Sequence, residues 1–342
     1  MTTISFPGLG IPEFTINPIA IPFGERGIYW YALIIVYGML IAMLYASCRA
    51  KDEGISFDTM IDFALYTIPV GIIGARLYYV FFDWLDRPQN YKSFKDIIAI
   101  WDGGLAIYGG IIFGIATIFI VAKIKKMSWK TLFKLFDSVA PGVMIAQAIG
   151  RWGNFCNGEA FGGETDLPWR MGLISSNTIN TFNTEDMVYV HPTFLYESLW
   201  NILGFILINL VYKKKRFDGQ ITLMYIAWYG FGRTFIELLR TDSLTNGGNI
   251  RVSSVLGLAC FLVAGTLLVI FFIKNKGKKT YGDAVALSAT SVEGAQEAAT
   301  EAVTESDEEN AEESAQGLDA SDSINTQENQ ESKEVDDDGK VD

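Results

Sequence analysis

Histidine is almost absent: His191 stands alone in 342 residues. That count excludes a His-rich metal site and any catalytic diad that needs two histidines. Cysteine is nearly as scarce, with three residues, Cys48, Cys156 and Cys260. They are too few for a disulfide framework, and no CxxC or Cys/His cluster suggests a metal or a cofactor. Of the nine prolines, Pro7, Pro12, Pro18 and Pro22 crowd the opening segment, which reads as an irregular outer arm over 1–27. No cleavable signal peptide is expected, because the first 25 residues carry no Lys or Arg and no cleavage-like site follows the first apolar stretch.

Acidic charge is abundant but local. Lys and Arg total 27 against 39 Asp and Glu, yet residues 281–342 hold 19 of those acids and only Lys333 and Lys340. The body that remains is mildly basic and very apolar. An ordinary acidic cytosolic enzyme is excluded. So is a nucleic-acid binder, since no basic stripe survives away from apolar runs. The tail lacks Pro, Trp and Phe, cannot bury enough apolar surface to offset its ordering entropy, and is expected to be a disordered cytoplasmic extension over 276–342.

What is present is apolar sequence in lengths of roughly 20 residues, enough for a helix to cross a hydrocarbon core of about 30 Å. Seven stretches qualify: Ile28–Cys48, Thr59–Phe82, Gly104–Ala122, Thr131–Gly150, Thr193–Tyr212, Gly219–Leu239 and Val252–Ile273. The expectation is an all-α polytopic membrane protein with seven transmembrane helices over 28–275 and outer loops at 83–103 and 151–192. Basic residues fix its orientation. Arg49 and Lys51, then Lys123 to Lys130, then Lys213 to Arg216, then Lys274 to Lys279 all follow odd-numbered spans. The N-terminus is expected outside and the C-terminus in the cytoplasm.

A cationic side chain at membrane depth costs several kcal/mol unless it meets a cavity or a partner. Arg76 and Arg233 interrupt apolar runs, and Arg151 closes the fourth stretch. By the expected topology all three lie toward the outer half, with Glu197, Glu237 and Arg240 near the same level. Each arginine alone could simply pair with a carboxylate. Together they suit a phosphate, which guanidinium groups bind through a planar fork of donors. Gly150-Arg151-Trp152-Gly153-Asn154-Phe155-Cys156-Asn157-Gly158-Glu159 adds two amides and a carboxylate, more donors and acceptors than packing alone requires. Nearby glycines, such as Gly109-Gly110 and Gly162-Gly163, either permit close helix contact or let backbone amides approach an anion. Asp137 lies in an apolar run and is assigned no chemistry.

The run from Gly150 to Gly162 resembles the signature of the prolipoprotein diacylglyceryl transferase family. His191-Pro192-Thr193-Phe194-Leu195-Tyr196-Glu197, Gly103-Gly104-Leu105, Gly74-Ala75-Arg76-Leu77 and Tyr229-Gly230-Phe231-Gly232-Arg233 with Glu237 match it in order and spacing. The resemblance covers about residues 16 to 275 and leaves out the acidic tail. It implies a bacterial inner-membrane transferase that moves the diacylglyceryl group of phosphatidylglycerol onto the lipobox cysteine of a preprolipoprotein at the outer leaflet. It implies no cofactor and no metal, membrane lipids as surroundings, no nucleic acid, and a monomer as a sufficient unit. Arg151 and Arg233 are then expected to stabilise the leaving phosphate, with Arg76 and Arg240 as further candidates. Asn154 and Asn157 hold lipid oxygens or orient Arg151; Glu159 anchors an arginine or binds the glycerol hydroxyls. Gly162, Tyr31, Tyr229 and Glu237 complete the expected lipid-binding set.

Two departures from the family pattern bear on mechanism. Tyr108, in Ala106-Ile107-Tyr108-Gly109-Gly110, stands where many members have a histidine. Tyrosine, with a reference pKa near 10, is a poor base at neutral pH, so Tyr108 either binds lipid or thiol through its hydroxyl or has its pKa lowered by an adjacent arginine. His191 precedes Pro192 at a helix start, where capping and loop hydrogen bonds are its expected role. Tyr29 replaces a basic residue before Trp30-Tyr31. Two other classes remain in view. A transporter of anionic solutes would spread polar residues along the membrane depth, and an acyltransferase would want a His-Asp pair. The polar residues here are confined to the outer half, and the lone histidine argues against the second class.

Overall fold

A computed structural model describes residues 1–23, 26–241 and 251–285. Most of the expected acidic tail, from 286 on, lies outside the described residues. The chain forms α1 (Trp30–Asp52), α2 (Phe57–Asp86), α3 (Phe94–Ile98), α4 (Ile107–Ile124), α5 (Trp129–Asn157), α6 (Ser176–Phe182), α7 (Thr193–Tyr212), α8 (Gln220–Ile236) and α9 (Val252–Lys274). Each expected apolar stretch coincides with one of the longer helices. Among the described residues, six helices are long and apolar enough to cross a membrane: α1, α2, α4, α5, α7 and α9. α8, at 17 residues, is shorter and continues as one 3-10 turn, Glu237–Leu239.

Local sequence sets the ends. Ser56 and Ser128 accept the amides of Thr59 and Thr131 and start α2 and α5, meeting donors that the first turn leaves unpaired. Gly158, at φ 60°, stops α5 in the left-handed region, which glycine enters at little steric cost. Large apolar side chains such as Leu40, Leu44, Leu65, Ile120 and Val263 are exposed along the helices, as expected of surfaces that face lipid.

Small residues bring the helices together. A Cβ at Gly109 would collide with the Gly74 carbonyl, joining α4 to α2, and Gly230 and Gly257 do the same for α8 and α9. Gly38 faces Ala146 and Gly142 faces Ala42, which seats α1 on α5. Of the two uses open to Gly109, the structure shows close helix packing.

The expected all-α class needs correction at one end. The arm over 1–27 is regular: β1 (Thr2–Phe6), β2 (Ile11–Ile16), β3 (Ile19–Phe23) and β4 (Arg26–Tyr29) form two hairpins. β1 also pairs with β5 (Met171–Ile174), and β5 with β6 (Val188–Val190), giving a four-stranded sheet in the order β2-β1-β5-β6. Pro12 and Pro22 do not prevent this, because β2 is an edge strand and β3 belongs to a two-stranded ribbon. Ile4, Phe161, Leu173, Val190 and Phe194 form the core beneath the sheet. The arm therefore packs with the 151–192 segment.

The compact unit runs through Tyr281. Its amide donates to the Lys215 carbonyl at 2.8 Å and its hydroxyl to the Asp52 carbonyl at 2.7 Å.

Candidate active site

α5 sets the first part of the site. Arg151, Asn154 and Asn157 recur every three residues on its last turns, so they share one face. The Arg151 guanidinium donates to Asn154 Oδ1 at 3.2 Å. Gly158 then turns the chain back, and Glu159 Oε1 accepts from Asn154 Nδ2 at 2.9 Å and from Asn157 Nδ2 at 3.3 Å. The signature thus folds into a local relay from guanidinium through amide to carboxylate. The Tyr31 ring packs where a Cβ at Gly153 would sit, within electrostatic reach of Glu159 and Arg151.

α7 supplies the centre. Glu197, 4% exposed, pairs with Arg151 at 2.6 Å, Arg233 at 3.0 Å and Arg240 at 3.3 Å. Arg233 also meets Glu237 at 2.6 Å, one helical turn on, and Arg240 Nε lies 3.9 Å from the same Glu237 oxygen. The three guanidinium groups thus share two buried carboxylates. Glu197 is more deeply covered than Arg151 or Arg233, whose side chains retain 20% and 16% exposure. The carboxylates back the cluster and the cationic groups keep its open side, an arrangement that can take an anion.

Backbone hydrogen bonds fix the third part. Gly162 donates to the His191 carbonyl at 3.0 Å, His191 to Gly163 at 3.0 Å, and Gly163 to Leu239 at 2.9 Å. A Cβ at Gly162 would strike His191 Cβ and the Leu239 carbonyl. This crossing holds the 159–164 loop against the turn that carries Arg240. The His191 ring does not cap α7, whose N-cap is Pro192. Its Nδ1 lies 3.3 Å from the Tyr196 hydroxyl, and the loop bonds expected of it run through its backbone.

Arg76 and Tyr108 lie in other contact sets. Arg76 donates to the carbonyls of Asp96, Ile97, Gly103 and Gly104 at 2.7–3.1 Å, so it braces the loop before α4. The Tyr108 hydroxyl is 3.2 Å from that of Ser253 on α9. Tyr229 stacks on Tyr225 with ring centroids 6.0 Å apart.

Two contributors were not legible beforehand. Arg251 donates to the Glu237 backbone carbonyl, and Ser253 partners Tyr108. Arg251 reads in the sequence as loop charge, and only tertiary contact brings it to Glu237. Asp137 is fully buried and accepts from Lys215, Gly219 N and both the amide and hydroxyl of Thr222. It caps α8, whose own N-cap, Gly219, has no side chain to offer.

A multi-pass membrane protein with one shared arginine–carboxylate centre, fed by α5, α7 and α8, is the class that fold and site define. Sequence comparison narrows it. The profile of the prolipoprotein diacylglyceryl transferase family matches residues 18–270. A relative from Listeria welshimeri, named phosphatidylglycerol–prolipoprotein diacylglyceryl transferase, is 43% identical over 255 residues, covering 74% of this chain and 89% of the relative. One of the same name from Streptococcus pyogenes serotype M5 is 42% identical over 272 residues, covering 78% and 99%. The chain belongs to the prolipoprotein diacylglyceryl transferase family.

Proposed function

We propose that the chain transfers the diacylglyceryl group of phosphatidylglycerol to the cysteine thiol of a prolipoprotein, using the Glu197-centred arginine cluster to stabilise the departing phosphate. Family membership and the names of the relatives support the reaction. The single observation that supports the role of the cluster is the sharing of Glu197 by Arg151 and Arg233, with their guanidinium groups on its more open side.

The cysteine sulfur, having lost its proton, attacks the glyceryl carbon that bears the phosphate. A C–S bond forms as that C–O bond breaks, and the electron pair leaves on the phosphate oxygen of glycerol phosphate. Negative charge therefore grows on the leaving group, where preorganised donors stabilise it most. Arg151 and Arg233 face that charge; Arg240 and Glu237 hold them in place. Asn154, Asn157 and Glu159 bind the head group and orient Arg151, while Tyr31 and Tyr229 contact the lipid. Tyr108 serves through its hydroxyl, in keeping with its partner, another hydroxyl. Arg76 positions the loop before α4, its donors being spent on carbonyls.

In the bacterial cell membrane α8 with its 3-10 turn counts as the seventh span, the N-terminus is outside and the site faces the outer leaflet. The placement of Arg151 near the end of α5, Glu197 near the start of α7 and Arg233 at the end of α8 supports this. Basic residues at the opposite ends, Arg49, Lys215 and Lys274 among them, agree with a cytoplasmic face. One lipid and one peptide need only a monomer.

The test uses purified protein in detergent with phosphatidylglycerol and a synthetic lipobox peptide. Mass spectrometry is expected to show the diacylglyceryl increment on the peptide cysteine. Folded, lipid-binding protein that leaves the peptide unmodified would return the cluster to the anion-transporter reading.

A further inference from the structure

Beside the arginine cluster lies a groove that the reaction chemistry does not use. It encloses about 330 Å³ between α1, α5 and α7 and is lined by Ile34, Ile145, Ile149, Trp152, Ile202 and Phe205. Its polar potential is closed off: Ser198, on its wall, donates its hydroxyl to the Ala148 carbonyl at 3.0 Å. One end is fixed by Trp152 and Ser198, the sequence neighbours of Arg151 and Glu197, whose ion pair is the centre of the site. From there it descends α5 to Ile145 and α7 to Phe205. Seven residues of helix rise about 10 Å, which is roughly two-thirds of the half-thickness of a hydrocarbon core of about 30 Å.

We infer that this groove holds one acyl chain of the lipid whose phosphate the arginine cluster binds, and that Ile202 and Phe205 set which chains it accepts. The inference rests on the phosphatidylglycerol reading above. Three observations converge on it. The lining is apolar with its one hydroxyl satisfied, the groove runs along the helices as a lipid chain does, and it begins beside the guanidinium groups. A lipid bound by its phosphate at Arg151 has its glycerol there, so its chains start at that end.

Two sources can supply such a chain, the substrate or bulk bilayer lipid, and a chain-length experiment separates them. Dipalmitoyl and dihexanoyl phosphatidylglycerol are compared in the same detergent with the lipobox peptide, and kcat/KM is taken as a ratio, long over short. Ile202→Trp narrows the groove and is expected to lower that ratio about tenfold, on the scale typical of overfilling a packed site. Phe205→Ala widens the far end of the groove and is expected to shift that ratio as well. Ile206→Trp, on the same helix, exposed and outside the groove lining, is expected to leave the ratio unchanged. A ratio that Ile202→Trp does not move, whether both rates fall together or neither falls, overturns the proposal and leaves the groove to bulk lipid. An equal shift from Ile206→Trp overturns it too. If wild type forms no adduct with either lipid, the transferase reading fails and the groove assignment falls with it.

Discussion

Glu197 and Arg151 stand 2.6 Å apart on separate helices, so one ion pair ties the end of α5 to the start of α7. The same carboxylate serves Arg233 and Arg240. Arg151 therefore owes its position to a group it shares, and each member should be felt through the others. Arg151→Ala and Arg233→Ala are expected to lower transfer by two to three orders of magnitude, as loss of a preorganised anion-stabilising donor does, while folded protein persists. Adduct formation per folded molecule, followed by mass spectrometry, checks this, and wild-type turnover in both variants would remove the leaving-group assignment.

Glu197→Gln should behave differently. It deletes the charge that three guanidinium groups face, leaving buried cations under-compensated. Breaking a buried pair from one side costs about 3–5 kcal/mol. The expected result is a lower thermal midpoint in detergent together with weakened transfer, whereas Arg151→Ala leaves Glu197 with two partners and lowers the midpoint less. Comparing the two melting curves under one set of conditions decides between them.

How far the sequence carried this picture depends on the range of the interaction. Each apolar stretch is a local property of hydropathy and length, and the helices lie within a few residues of their expected bounds except α5, which runs seven residues past Gly150 into the expected outer loop and so takes Arg151, Asn154 and Asn157 into helix; Thr193–Tyr212 coincides with α7. Arg151, Arg233 and Glu197 were visible as polar residues in apolar surroundings. Their meeting at one shared centre was not, since residues 36 and 46 apart in sequence meet only through packing. The strands of the opening segment were hidden for a similar reason. β1 finds β5 some 170 positions on, and prolines at edge positions disguise the pattern. Arg76 presented a choice between an anion and a carboxylate, and the structure gives a third partner, the carbonyls of a loop.

Asp137 gives a second test of stability, far from the arginine cluster. It caps α8 and contacts Lys215, which also pairs with Glu53. Asp137→Ala leaves the amides of Gly219 and Thr222 without their acceptor and removes one of two counter-charges from a lysine that is 2% exposed. A loss of about 3–5 kcal/mol is expected, with transfer per folded molecule unchanged. Thermal unfolding in detergent alongside the peptide assay checks both parts.

The hydroxyl pair across α4 and α9 bears on the role of Tyr108. If Tyr108 acts by hydrogen bonding, Tyr108→Phe keeps the ring and loses one bond, worth about 0.5–1.5 kcal/mol. Transfer should then fall by roughly tenfold at most, with adduct still formed. Ser253→Ala should cost less, and the double variant should cost no more than Tyr108→Phe alone. Complete loss of adduct in Tyr108→Phe would make the hydroxyl indispensable to the chemistry.

Tyr281 decides where the acidic extension can be removed. Its ring covers Lys215 at 4.9 Å and stands edge-on to Tyr212, while its backbone and hydroxyl bond to the chain at Lys215 and Asp52. Burial, with Glu53 nearby, pushes its hydroxyl up to about 12, so it remains a donor throughout the neutral range. A chain ending at Val285 keeps these contacts and is expected to match full-length protein in both transfer and thermal midpoint. A chain ending at Thr280 uncovers the Lys215–Glu53–Asp137 group and should melt lower. Equal midpoints for the two truncations would mean that Tyr281 contributes nothing to the fold. Loss of transfer in the Val285 form would overturn the reading of the acidic extension as passive.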